Sequence, residues 1–474
     1  MLAGMMGHAK NSIVAISGFL LLFLLAFSAW PAQAAQSTGD PTYLIGLRAA
    51  GSAPTAQSLS GVKRAVVREL LREGGQIKVV YSRLALIAAR LSPEAARRLA
   101  QDPRVRYLVP DGPIAAPERF SLQPIAGSPV EFYPWGVERV HAPEVQRAQP
   151  VVQQAGQAGW VVLLMLLITG GGWLLTRRRR YFDRAWLGLG LIVMLLALPG
   201  CSWVALWPHP AGISGQGVNV ALLDTGIDTS HPDLSANYQG GYDFVNNDPD
   251  PQDDNGHGTA VAGVLAAAEN GVGIIGVAPR ARLWELKILD ANEEGSISDL
   301  LRGLDWAIAH HVQIVNMSLG TPDDNPALRE GIEATARAGI LMIAAAGNKG
   351  ESVFFPAAYP QVIAVAASDR ANHIAWFSNQ GPEVELTAPG TKIISTALHG
   401  KYGVVNGTSF AAPHVAGVAA LLFSAGLSDP QAVRRLLDSS ADDLGLARQA
   451  QGYGLVDAER AYRLLLLRNQ ARRP

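Results

Sequence analysis

The chain has 474 residues, of which 49% are hydrophobic and 17% charged, with a formal net charge of -1. This length allows two or three domains, and so even a charge balance gives no electrostatic case for nucleic acid as a partner. A single cysteine, Cys201, excludes an intramolecular disulfide, so stability outside the cytoplasm has to come from packing or bound metal.

The first element is the apolar run 13–30, preceded by His8 and Lys10 and followed by Ala32-Gln33-Ala34, the layout of a secretory signal with a small-residue cleavage site. Residues 1–34 are therefore expected to be a signal peptide or, because the run is long, a retained signal anchor. Either way the rest of the chain is exported. Residues 40–115 form a separate small α+β unit. A strand is expected at 43–47 and a helix at 62–72, with Val62, Val66, Leu70 and Leu71 on one face. A strand at 76–81, a helix starting at Ser92-Pro93 and a strand at 105–109 complete the order strand, helix, strand, helix, strand. Residues 116–133 form a linker, and 134–147, from Pro134-Trp135-Gly136 to Ala142-Pro143, open the larger domain.

That domain is interrupted at 148–211. The uncharged apolar runs 159–175 and 185–207 flank four arginines, Arg177 to Arg180. As helices they span roughly 25 Å and roughly 35 Å, against a bilayer core of about 30 Å. Two buried core helices are the plainer reading. The cationic turn instead predicts a transmembrane hairpin with its arginines in the cytoplasm, which returns residue 212 to the same side as the small unit. Leu198-Pro199-Gly200-Cys201 has the general layout of a lipid-attachment signal, although proline is atypical there and the signal would be internal; an unmodified cysteine near a helix end is the simple alternative.

From 212 to 465 strands and helices alternate, which predicts a doubly wound parallel sheet. An apolar strand at 218–223 ends in Asp224-Thr225-Gly226, where a buried parallel strand presents its carboxyl end. His257-Gly258-Thr259 opens a helix of small residues. The strand at 339–346 leads to Asn348, and Gly407-Thr408-Ser409 precedes an apolar helix at 410–424, with Pro413 near its start. A serine hydroxyl becomes a useful nucleophile when a histidine takes its proton and a buried carboxylate orients that histidine. Asp224, His257 and Ser409 supply those three groups, and the Asn348 amide is a donor for a developing oxyanion. Asp-Thr-Gly also marks aspartic proteases, but that chemistry needs two carboxylates at one site, and no second Asp-Thr-Gly or Asp-Ser-Gly occurs. His414, five residues after Ser409, is expected to be a structural histidine.

Asp224-Thr225-Gly226-Ile227-Asp228, His257-Gly258-Thr259, Ala346-Gly347-Asn348, Gly407-Thr408-Ser409 and Ala412-Pro413-His414-Val415-Ala416-Gly417 resemble, in order and separation, the subtilisin-like serine proteases. Phe410 departs from the methionine usual beside the nucleophile and removes an oxidisable thioether. The resemblance implies a serine endopeptidase, with a binding protein that keeps the fold without proteolysis as the alternative. It also implies that 40–115 is an inhibitory propeptide removed at a site within 116–133, so that the partners are a polypeptide substrate, the protein's own propeptide and, through the hairpin, a lipid bilayer. Localisation follows as the cell membrane, with the catalytic domain on the extracytoplasmic side.

The resemblance implies that substrate lies along Ser318-Leu319-Gly320, with its side chain passing Ala344, Ala345, Ala346 and Gly347. Structural calcium is expected, with no organic cofactor. The resemblance assigns it to Glu131, Asp233 and Asn270 with the carbonyls of Ala268, Val272 and Ile274, and more weakly to Asp243, Asn246 and Asp248, where an asparagine replaces a carboxylate. Gly452-Tyr453-Gly454-Leu455-Val456-Asp457 resembles the closing segment, and 466–474 is a basic tail.

Overall fold

The computed structural model describes residues 40–48, 56–127, 129–147 and 212–471. The signal segment, both apolar runs of the interruption, Cys201 and the last three residues of the tail lie outside them. Among the described residues no helix is long and apolar enough to cross a membrane.

The small unit comprises β1 (Thr42–Leu47), α1 (Ala56–Arg72), β2 (Gln76–Val80), β3 (Leu86–Arg90), α2 (Pro93–Leu99) and β4 (Val105–Pro110). Its four strands form an antiparallel sheet in the order β2-β3-β1-β4. One strand, β3, is missing from the expected order. Leu86-Ile87-Ala88-Ala89 is apolar at every position because both of its faces are covered, so the period of two that marks a half-buried strand is absent. Ile45, Leu47, Ile87 and Ala89 face Val66, Leu70, Ala95 and Leu99 of the helices. Leu44, Leu86 and Ala88 face the larger domain, in one apolar cluster with Leu300, Leu301 and Leu304. Leu71, expected on the inner face of α1, is instead 58% exposed.

Next come β5 (Pro113–Ala115), β6 (Gln123–Pro124), and the short helices α3 (Trp135–Arg139) and α4 (Ala142–Gln146). The larger domain continues with β7 (Asn219–Asp224), β8 (Tyr238–Asp243), α5 (His257–Ala266), β9 (Arg282–Lys287), β10 (Glu294–Ser296), α6 (Ile297–Ala309), β11 (Ile314–Met317), α7 (Pro326–Arg337), β12 (Leu341–Ala345) and β13 (Val362–Ser368). It ends with β14 (Val384–Pro389), β15 (Ile393–Ala397), β16 (Lys401–Val405), α8 (Thr408–Ser424), α9 (Pro430–Ser440), α10 (Arg448–Gln451) and α11 (Ala458–Ala471). Seven of these strands build one parallel sheet in the order β14-β13-β12-β11-β7-β9-β8. Alternation along β7 shows the double winding. Val220 and Leu222 join the cluster containing α5 and α8, whereas Ala221 and Leu223 join the one containing α6 and α7. The doubly wound sheet is as expected.

α8 is buried along nearly its whole length. It begins at Thr408 rather than 410, so Pro413 lies a full turn inside it and cannot supply the amide that would cap the Ser409 carbonyl. The Ser318 hydroxyl takes that role, donating to Ser409 O at 2.7 Å. This contact fixes the start of α8 to the loop after β11.

Polar groups set the register of the small unit on the larger domain. Asp305 of α6 accepts from the amides of Ser82, Arg83 and Leu84 and from the Ser82 hydroxyl at 2.5–2.9 Å, cradling the β2–β3 turn. Tyr81 donates to Ser298 O at 2.9 Å, and Asp111 accepts from the Ser298 amide and hydroxyl at the start of α6. Hydrogen bonds to a buried carboxylate are worth about 1.5–3 kcal/mol each, and their losses do not add. Asp305→Ala should therefore weaken docking by about 3 kcal/mol, seen as a roughly hundredfold faster native-state hydrogen exchange of the 82–84 amides in the intact chain.

Candidate active site

Asp224 is the last residue of β7, at the carboxyl edge of the sheet, and its Oδ1 lies 2.6 Å from His257 Nδ1 in the first turn of α5. The Thr225 amide donates to the same oxygen at 2.8 Å. Both side chains are essentially inaccessible to solvent. Gly226 has φ +118°, and a Cβ there would lie 2.7 Å from Pro251 O, so the turn after Asp224 admits only glycine. A Cβ at Gly258 would lie 2.1 Å from Gly226 O, which explains the glycine after His257.

Burial alone lowers the basicity of His257. The Asp224 charge and hydrogen bond, joined by Glu293 and Asp253, outweigh that and raise it above the ordinary histidine value of 6.5. Its ring is flanked by Phe410, centroid to centroid 5.5 Å, and by the edge of Phe120 at 5.7 Å. Phe410 thus packs on the His257 imidazole itself.

Ser409 lies in the first turn of α8, and its hydroxyl donates to Ser318 O at 3.3 Å; among the described residues no hydrogen bond joins it to His257. Asn348 Oδ1 accepts from the Thr408 amide and hydroxyl at 2.8 and 2.7 Å. Those bonds fix the amide flip and turn the NH2 group away from Thr408, beside Gly407. The fold thus brings Asp224, His257, Asn348 and Ser409 to one edge of the sheet.

Of the expected substrate residues, Ser318 contacts Ser409 through both its carbonyl and its hydroxyl. Leu319 is buried, and Gly320 pairs with Ala115. Ala345 is buried in β12, and Gly347 packs against the Asn379 amide, where a Cβ would lie 2.2 Å away. His414 is buried, its Nδ1 2.7 Å from Phe410 O, and burial lowers its pKa to about 4.

Three polar residues had no motif to announce them. Asp253 accepts from the Thr225 hydroxyl, the amides of Asn255, Gly256 and Thr259, and the Thr259 hydroxyl. Lys287 is buried and donates to Thr225 O, Leu289 O and Asp254. Glu285 sits level with Leu222 on the neighbouring strand, and among the described residues neither of its oxygens has a hydrogen-bond partner. Burial, reinforced by Asp224 and Asp253, holds its carboxyl well above the ordinary range. Asp253 had one local signal, its place in the Asp-rich turn before His257.

The expected calcium residues divide. Glu131 Oε1 accepts the amides of Asn270 and Gly271, and Asn270 Nδ2 reaches Pro232 O and Asp233 Oδ1. Ala268 donates its amide to Asp233 O, Ile274 donates its amide to Asp233 Oδ2, and Val272 pairs with Val130. This set clusters and its carboxylate, amide and carbonyl oxygens are of the type that suits a hard cation, while the Asn270 NH2 faces Asp233 and its Oδ1 accepts the Val272 amide. Asp243, Asn246 and Asp248 instead close a turn on themselves. Both Asp243 oxygens are engaged by Val245 and Asn246, and the Asn246 side chain presents its NH2 group, not its oxygen, to Asp243. Among the described residues no group of three or more His, Cys, Asp or Glu side chains is placed to hold a metal.

Because its folded-state pKa is raised, His257 contributes stability that is fully present below the unfolded value and lost as pH rises through the folded one. In an NMR titration its imidazole should have a midpoint above 6.5, and Asp224→Asn should move that midpoint down.

The sequence profile of peptidase S8, described as the subtilase family, matches residues 215–455. The chain is 34% identical over 465 residues to subtilisin E of Bacillus subtilis (strain 168), an alignment covering 96% of this chain and 100% of that protein. It is 44% identical over 260 residues to subtilisin of Bacillus pumilus, covering 53% of this chain and 94% of the relative. The alkaline protease of Shouchella clausii is 32% identical over 454 residues, 94% of this chain and 98% of that protein. The chain therefore belongs to the subtilase family and is a serine endopeptidase.

Proposed function

We propose that the protein is an exported, membrane-anchored endopeptidase, made as a zymogen, in which Asp224, His257 and Ser409 form the catalytic triad and Asn348 completes the oxyanion hole. The observation that carries this reading is the 2.6 Å bond between Asp224 Oδ1 and His257 Nδ1 at the sheet edge where α8 presents Ser409. Ser409 Oγ attacks the scissile carbonyl while His257 Nε2 takes its proton. Asp224 holds the Nδ1–H tautomer and stabilises the imidazolium. The Asn348 amide and the Ser409 backbone N–H donate to the oxyanion, and His257 then protonates the leaving amine. Water repeats the cycle on the acyl-enzyme. Substrate backbone runs along Ser318-Leu319-Gly320, with Ala345 and Gly347 near its side chain.

Residues 40–115 act as the inhibitory propeptide, a role supported by their docking on α6 and by β5 entering the cleft region. Membrane anchoring is supported by the flanks of the interruption. Gln146 donates to Gly276 O and Val277 O, and Arg280 donates to Ser214 O, so the chain leaves and returns at one short stretch, as a hairpin requires. That stretch leads into the start of β9, whereas Asp224 ends β7. Asp224 is therefore at the opposite end of the sheet from the residues that flank the interruption. Glu131, Asp233 and Asn270, with the carbonyls of Ala268, Val272 and Ile274, hold structural calcium, which ties residue 131 to the 268–274 loop.

The test is an immunoblot of membrane fractions for wild type and Ser409→Ala, with detergent-extracted activity on casein. A shorter membrane-bound wild-type product, a full-length mutant and loss of caseinolysis on mutation are expected. A soluble product would remove the anchor, and unchanged caseinolysis would remove the triad. Asn348→Ala should lower kcat by roughly 10²–10³ with little change in KM, a magnitude established for this donor in a subtilisin itself. Chelator should lower the melting temperature of wild type by several degrees, and Glu131→Gln should shrink that shift.

A further inference from the structure

We propose that residues 113–120 are a plug that Ser409 does not cut at the bond it presents, because Pro117 occupies the position where a substrate must donate its amide to Ser318. The inference rests on Ser409 being the nucleophile.

β5 is the middle strand between two edges of the cleft. On one side Pro113–Ala115 pairs antiparallel with Glu294–Ser296. On the other, Ala115 exchanges both backbone hydrogen bonds with Gly320, at 3.2 and 2.9 Å. Antiparallel ladders alternate hydrogen-bonded and non-bonded pairs, so a substrate strand continued in this register would set its residue at the Pro117 position opposite Ser318, whereas here the observed pairing ends at Ala115. Ser318 is the residue whose carbonyl meets Ser409 Oγ, at 3.3 Å. A substrate residue there would place its amide on Ser318 O and its carbonyl at the nucleophile. Pro117 has no amide proton to give. The Ser318 carbonyl takes the Ser409 hydroxyl instead.

The chain then leaves the extended course. It bends at Pro117 and Glu118, and one residue grips it on both sides of the bend. Glu293 accepts the Ala116 amide with its backbone carbonyl and the Phe120 amide with Oε1, at 3.2 and 2.7 Å. Residues 117–119 are thereby pinched into a loop, and Phe120 is set edge-on against the His257 ring. The His257 ring is thus covered by the plug, while the Ser409 hydroxyl stays on Ser318 O. Hydrolysis of the 117–118 bond would consume one water and leave a carboxylate on residue 117 and an amine on Glu118. Restoring an amide at 117 should permit it. In the wild-type chain, maturation falls at a different bond within the 116–133 linker.

The experiment compares full-length wild type and Pro117→Ala in detergent, each also with Ser409→Ala, by fragment mass spectrometry. Wild type should yield no fragment starting at Glu118. Pro117→Ala should yield one, losing its full-length form at least tenfold faster, and Ser409→Ala should abolish it. A Ser409-dependent Glu118 terminus from wild type, or an unchanged cleavage site and rate in Pro117→Ala, overturns the plug. A second measurement avoids dependence on folding of the variant: wild type opened by trypsin at the exposed Arg119 is assayed on casein and on a synthetic 111–122 peptide. The peptide should inhibit caseinolysis without being cut at 117–118, and its Pro117→Ala version should be cut there. Cutting of the unsubstituted peptide at that bond overturns the plug, whereas absence of caseinolysis from the opened chain overturns the endopeptidase reading and the proposal with it.

Discussion

The active edge of this molecule depends on one buried carboxylate, that of Asp253. It binds the hydroxyl of Thr225, next to Asp224, and the amides and hydroxyl that start the helix carrying His257. The Thr225 hydroxyl in turn accepts the Gly258 amide at 2.9 Å. Strand end and helix start are thus held on a single anion, at a helix amino terminus where negative charge is favoured. The 2.6 Å bond between Asp224 and His257 follows from this arrangement. Neither side chain could be kept so dry and so close by its own element alone.

A similar logic governs Ser409. Proline inside a buried helix leaves a carbonyl without its usual donor, and an unpaired buried carbonyl costs about 1–3 kcal/mol. The Ser318 hydroxyl removes that cost and in doing so joins the Ser409 backbone to the loop after β11. Asn348 is held in the same way, by two bonds from Thr408, which leaves its NH2 group for other work. Ser409 and Asn348 are each positioned by a neighbour on another segment of the chain.

Much of this was legible in the sequence because the relevant constraints are local. The strand before Asp224 is apolar on both faces, the glycines at 226 and 258 mark close approaches, and small residues mark α5 and α8. The same double burial that identifies β7 concealed β3, whose continuous apolar run fits a strand or a buried helix equally well. Helix starts were off by two residues at Thr408, which is enough to misplace Pro413 relative to the first turn. Lys287 was silent because Thr225 and Asp254, to which it donates, lie on other segments, and Glu285 because its setting is burial beside Asp224 and Asp253 and not a local motif. The turn at Asp243 shows how little composition says here, since its carboxylate is engaged by the amides of Val245 and Asn246 within the turn itself.

His414 has a consequence for where such a protease can work. Its burial holds the folded-state pKa at about 4, against 6.5 for an unhindered imidazole. Below 6.5 the unfolded chain therefore binds a proton that the folded chain refuses, and stability falls with acidification until about 4, by about 3 kcal/mol in all. His257 works in the opposite direction and favours the fold in acid. The two histidines make the protein a proton balance, in which His414 sets an acid limit on endurance and His257 pulls against it.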